Sequence, residues 1–307
     1  MSKKEIVTRI LSFLLGLVIT VSVLLAVIGS YLSTTVLSQD YYLGIIATPS
    51  YLEMVKEAIG EEFSAQSAYV GVPEDVFAQG LDDGKLHEML RNHITYVVNY
   101  LDGLAEYQEP EYPVERMQKP LYAYLEQYCA AEGTVPTAEQ YAQLDQVAKD
   151  SASLIKKQIC LMDLKLVIDM PAFRQAMSLI SKLKSSVGPS LLMAFLCSVL
   201  MAAMNFKAWR EWLGRIALAV WMSGIFFLVP MLVLKYTGLT KRLAITTGYL
   251  KYFVDTVLTN MNHYFLIWGI VLVLLTTILL SVLKWVKPVV IKKAEHLHFK
   301  GDATQEM

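Results

Sequence analysis

Residues 10–32 read ILSFLLGLVITVSVLLAVIGSYL, a run of twenty-three positions without a charge. A helix rises about 1.5 Å per residue, so a run of about 20 apolar residues crosses the hydrocarbon core of a bilayer. Three further runs, 187–206, 216–234 and 264–283, are equally free of Asp, Glu, Lys and Arg. They account for a composition that is 55% hydrophobic and only 18% charged, on the apolar side of the roughly 45–50% and 25% of soluble domains. The expected fold is therefore all-α: a polytopic membrane protein with four transmembrane helices. The first run follows Lys3, Lys4 and Arg9, as the core of a secretory signal does. It is longer than a signal core of about 7–15 residues and lacks a convincing small-x-small site after it, so it reads as an uncleaved signal anchor.

Basic residues give the expected orientation. Lys3, Lys4 and Arg9 precede span one, Lys207, Arg210 and Arg215 separate spans two and three, and Lys284, Lys287, Lys292, Lys293 and Lys300 follow span four. All eleven share one side, against Lys235, Lys241, Arg242 and Lys251 in the other short loop. The positive-inside rule then puts both termini in the cytoplasm of a multi-pass protein of the cell membrane. The expected segments are a cytoplasmic N-terminus (1–9), span one (10–32), an extracytoplasmic domain (33–186), span two (187–206), a cytoplasmic loop (207–215), span three (216–234), an outer loop with an amphipathic helix (235–263), span four (264–283) and a basic cytoplasmic tail (284–307). Pro230 is expected to bend span three, and Trp212 and Trp285 sit where interfacial rings belong.

The 154 residues between spans one and two hold 22 acidic and 12 basic side chains, a net charge of -10 hidden inside a total of -1. That total gives no general basis for binding nucleic acid. Helical spacing dominates the segment. Leu52, Val55, Ile59 and Phe63 share a face, with Ser50 and Glu53 as a capping box. Pro73 opens a short helix, Asp82, Asp83 and Gly84 make a turn, and a long helix covers 85–101. The stretch 106–120, with three prolines, reads as an irregular linker that either packs on the bundle or stays mobile. A helix follows over 121–131, and Thr137 with Gln140 forms a second capping box. From Tyr141 the periodicity continues through Leu161 to Asp169, and Phe173, Met177, Ile180 and Leu183 form a stripe leading to Gly188 and Pro189. In the outer loop, Leu243, Leu250, Phe253, Val254, Val257 and Leu258 suggest a lid resting at the interface or on the outer domain.

Motifs for chemistry are missing from the sequence. It contains no phosphate-binding glycine loop, serine elbow or HExxH, and nothing calls for a cofactor. His87 and His93 are six apart and would face different sides of a helix, short of the three or four convergent ligands of a zinc site. Glu61 with Glu62, and Asp82 with Asp83, read as solvated surface. Cys129 and Cys160 lie in the outer domain, where an extracytoplasmic setting permits a disulfide; two buried thiols explain them equally. Cys197 falls in span two.

No acid, histidine or arginine, the common mark of a proton or ion path, interrupts the middle of a span, which weakens transport without excluding it. Ala194, Ser198 and Ala202 make a small-residue stripe suited to close helix packing, as do Gly16 and Gly224. Lys284, Lys287, Lys292 and Lys293 are positioned to touch anionic lipid. The primary reading is a non-enzymatic cell-envelope protein that presents its outer domain for binding or assembly, with membrane lipids, further copies or other membrane proteins as partners. A transporter or channel subunit and an envelope lipid- or polymer-modifying enzyme are the alternatives. One anchor, a large outer domain and three more spans also resembles the membrane subunits of some ABC-type export and signalling machines. That likeness carries no motif and implies only a separate ATPase subunit.

Overall fold

The computed structural model describes residues 3–160, 170–204, 208–238 and 244–302, with side chains for 6–160, 170–204, 208–238 and 244–285. It is 86% helical, with no strand among the described residues. The order is α1 (Lys3–Tyr31), a five-residue π-helical turn (Leu32–Val36), α2 (Gln39–Ile46), α3 (Pro49–Val70), α4 (Glu74–Gln79), α5 (Asp83–Leu101), α6 (Val114–Ala131), α7 (Ala138–Ile159), α8 (Pro171–Ser185), α9 (Val187–Met204), α10 (Trp209–Thr237) and α11 (Gly248–Asp302). Among the described residues four helices are long and apolar enough to cross a membrane: Ile6–Val36, Val187–Met204, Trp209–Thr237 and Gly248–Trp285. Two compact units emerge. One comprises Met1–Leu32, Lys182–Arg242 and Leu258–Met307; the other comprises Ser33–Ser181 and Leu243–Val257.

The second unit is a helical bundle built on amphipathic stripes. Tyr51, Val55, Ile59 and Phe63 bury one face of α3, and Leu86, Met89, Leu90, Ile94 and Val98 bury one face of α5. Leu144, Ala148, Ala152, Ile155 and Ile159 do the same on α7. Thr137 and Gln140 close the capping box at the start of α7 as their spacing suggests. The start of α3 differs: Thr48, not Ser50, is the N-cap, because Pro49 occupies the first helical position with its φ already set. Asp82 and Asp83 form the entry to α5 rather than a separate turn, with Asp82 accepting the Lys85 N–H at 2.6 Å.

α6 starts at Val114, seven residues before the proposed 121, and carries Pro120 inside it. Met117, Leu121, Leu125 and Cys129 are buried at i, i+4 steps, and that packing carries the helix through the hydrogen bond the proline forfeits. The remaining linker is tied down by Tyr112, whose hydroxyl donates to Gly80 O at 2.6 Å and accepts from Asp82 N at 3.1 Å. The start of α11 supplies Tyr249 to the same core. Its ring meets Tyr51 edge-on with centroids 6.2 Å apart, and its hydroxyl donates to Gln158 Oε1 at 2.9 Å. This segment therefore packs against the helical bundle, and α11 continues without a break where the expected segments separated an amphipathic helix from span four. The proposed helical stretch from Leu161 to Asp169 lies outside the described residues, as do Leu243, Lys207, Lys241 and Arg242.

The first unit packs α1 against α9 and α10 through small residues. A Cβ on Gly29 would stand 2.5 Å from Leu183 O and 2.7 Å from Val187 Cγ2, so only glycine permits that approach. Gly224 and Gly269 do likewise for α10 and α11: a Cβ on Gly224 would come 3.0 Å from Gly269 O. Between these crossings Ile19, Cys197, Met201 and Ala219 form a buried cluster. Thr20 Oγ1 sits 3.0 Å from both Gly16 O and Ala219 O, and Ser223 Oγ 3.2 Å from Thr20 O, so the hydroxyls join α1 to α10. Trp212 packs partly onto this cluster, whereas Trp285 is exposed. Tyr31, Phe227, Tyr264 and Phe265 form an aromatic cluster, Tyr31 and Phe265 having centroids 4.9 Å apart.

Candidate functional site

The residues that sequence alone would nominate for chemistry are dispersed. His87 is exposed on α5, while His93, on the opposite side, is 1% exposed and its Nδ1 has no hydrogen-bond partner. Burial pulls the His93 pKa down to about 4, partly offset by the negative charge of Glu109. Glu109 itself is ion-paired with Lys156, and that pairing raises the lysine pKa. A sealed, neutral imidazole has no route to a substrate. No group of three or more His, Cys, Asp or Glu side chains among the described residues is placed to hold a metal.

Acids cap and pair, or face outward. Asp82 meets Arg116 at 2.6 Å; its carboxyl is held below the usual range by the Lys85 backbone N–H, with Arg116 contributing next. Asp83 meets Lys56 at 2.8 Å. Glu53, Glu57 and Glu61 lie at i, i+4 steps on the exposed side of α3, opposite its buried stripe, and Glu74, Asp75 and Glu88 are exposed on α4 and α5. Cys129 is buried on α6 and Cys160 ends α7, and no disulfide joins them.

In the membrane unit, Ala194, Ser198 and Ala202 are half-buried, and the Ser198 hydroxyl bonds to Ala194 O in the preceding turn at 2.7 Å. The fully buried line on α9 is Ser190, Cys197 and Met201, turned slightly from that stripe. Lys284 is exposed; the side chains of Lys287, Lys292 and Lys293 lie outside the described residues.

A feature not nominated from the sequence is a groove of about 620 Å³ between α1 and α10. Phe13, Leu17, Val21 and Leu24 line one side, and Leu218, Met222 and Phe226 the other. Gly16, Thr20 and Ala219 add small residues to its lining, and Arg9, Ser12 and Arg215 lie toward one end. Both arginines immediately precede the first apolar residue of parallel spans, Ile10 and Ile216. That pairing was the available sequence signal. It becomes informative only once α1 and α10 are known to be neighbours. Ser12 is 2% exposed with a hydroxyl that has no partner, and Arg215 Nη1 is likewise buried and unpartnered.

Comparison of the chain with protein-family models, curated proteins and solved structures found no match. Its length, apolarity and helix content identify it as a polytopic, all-helical membrane protein.

Proposed function

We propose that this is a non-enzymatic protein of the cell membrane whose outer helical bundle is a docking module, anchored by four spans with both termini in the cytoplasm. The observation that supports this most is the bundle itself: it has its own core and carries exposed carboxylates on α3, α4 and α5. An acidic exterior favours a basic partner surface, either an envelope protein or a basic peptide, through steering and rim contacts. A buried His93 and acids committed to capping and pairing fit binding better than catalysis. The inside-basic charge distribution supports the orientation.

Photo-crosslinking in intact membranes tests this reading. A photoreactive residue at Tyr69 or Val135, 93% and 82% exposed, should yield a discrete adduct. The triple substitution E53K, E57K, E61K should abolish it, as should high salt. No adduct from either position, or one indifferent to charge reversal, contradicts the proposal.

A further inference from the structure

The groove between α1 and α10 has the dimensions, polarity and charge of a site for a single lipid, and the geometry points to an anionic phospholipid as its occupant. This inference rests on the membrane placement of the spans and is independent of what the outer bundle binds. From Arg9 to Leu24 the groove follows α1 for fifteen residue-to-residue rises, about 22 Å of helix. One leaflet measures about 15 Å of hydrocarbon plus roughly 5–8 Å of headgroup layer, which is the same length. Arg9 and Arg215 stand at the headgroup end, each at the border of its apolar run, and Leu24 and Phe226 lie toward the bilayer midplane.

The charge pattern selects the headgroup. Among the described residues the lining holds two arginines and no carboxylate. Glu211 lies 3.8 Å from Arg215 Nη2 but is 66% exposed, a weak and solvated pair. Nη1 is left buried with no acceptor. A phosphate at this end of the groove meets the positive charge of Arg9 and Arg215 and is the partner a guanidinium favours. Ser12 is about one turn deeper, at the depth of the glycerol esters, with its side chain packed away from the groove surface. Below it, Phe13, Leu17, Val21, Leu218 and Met222 flank a track for one acyl chain. Gly16 leaves that track open, since a Cβ there would have only Ala219 Cβ at 4.0 Å. A zwitterionic head carries a compensating cation that two arginines repel, so net negative charge is required. In the proposed orientation this is a lipid of the inner leaflet.

Native mass spectrometry of the full chain in detergent, with dioleoylphosphatidylglycerol or dioleoylphosphatidylcholine added, tests the assignment. The wild-type chain should retain the glycerol lipid about tenfold more than the choline lipid, the scale of one charge-assisted contact. Arg9→Gln with Arg215→Gln should reduce that preference to near unity. Arg215→Lys should keep most of it. Met222→Trp, which fills the track without changing charge, should remove the glycerol-lipid adduct. Inorganic phosphate in excess should not displace it, because the chain contributes to binding. Equal retention of the two lipids by the wild-type chain, a preference that survives the double substitution, or displacement by phosphate overturns the assignment.

Discussion

His93 should make the outer bundle acid-sensitive in a calculable way. Its folded pKa is lowered from 6.5 to about 4 by burial, so from about pH 6.5 downward the unfolded chain takes up a proton that the folded chain refuses. Stability from this residue is fully present above the unfolded value. It falls by about 1.4 kcal/mol per pH unit between the two values and levels off below the folded one. Between about pH 7.5 and about pH 5 the loss is about 2 kcal/mol, and the whole window is worth about 3 kcal/mol. Denaturant unfolding of the full chain in detergent, followed by the near-UV signal of the tyrosine-rich bundle, measures it. His93→Leu removes the titrating group, so the variant should lose about 2 kcal/mol less than wild type over the same interval. Glu109 opposes the burial effect by attracting the imidazolium, so Glu109→Gln should leave the loss down to about pH 5 nearly unchanged and extend it further below about pH 4 than in wild type. Equal pH dependence in wild type and His93→Leu refutes the reasoning.

Other substitutions separate close packing from open surface. Gly60→Ala, in α3 where an added Cβ meets nothing within 4 Å, should stabilise by about 0.4–1 kcal/mol in thermal melts. Gly29→Val, with its Cβ 2.5 Å from Leu183 O and 2.7 Å from Val187 Cγ2, should cost about 1–3 kcal/mol and loosen the packing of α1 on the junction of α8 and α9, read as faster proteolysis in detergent. Tyr112→Phe strips both hydrogen bonds that tie the linker to Gly80 and Asp82; the expected loss is about 1–3 kcal/mol by denaturant titration. Intact mass after alkylation without reductant should count Cys129 and Cys160 as thiols, with Cys129 modified only on unfolding because it is 2% exposed.

Much of the bundle was legible because its signals are local. Thr137 and Gln140 predict their cap from spacing alone, and the α3 and α5 stripes follow from a helical period. α6 begins earlier than its sequence suggests because Pro120 reads as a breaker in isolation. The stripe of Met117, Leu121, Leu125 and Cys129 passes through it, and burial outweighs one lost hydrogen bond. The seat of Tyr249 beside Tyr51 was beyond sequence reasoning, since nearly two hundred residues separate them and nothing in either segment marks the other. The groove was hidden for the same reason: Arg9 and Arg215 look like ordinary positive-inside charges until α1 and α10 become neighbours. The near-neutral total charge was similarly uninformative, because the acid belongs to one segment and the excess base to the others.

The central claim, an acidic bundle outside and both termini inside, is tested most directly by compartment-specific cysteine labelling. Val135→Cys places a thiol on an 82% exposed site between α6 and α7, and Lys284→Cys places one at the exposed end of span four. Each is made in a chain whose own Cys129, Cys160 and Cys197 are replaced by alanine. A membrane-impermeant maleimide on intact cells should label the first and reach the second only after permeabilisation. The reverse pattern, or equal labelling of both before permeabilisation, would contradict the four-span topology with an external bundle.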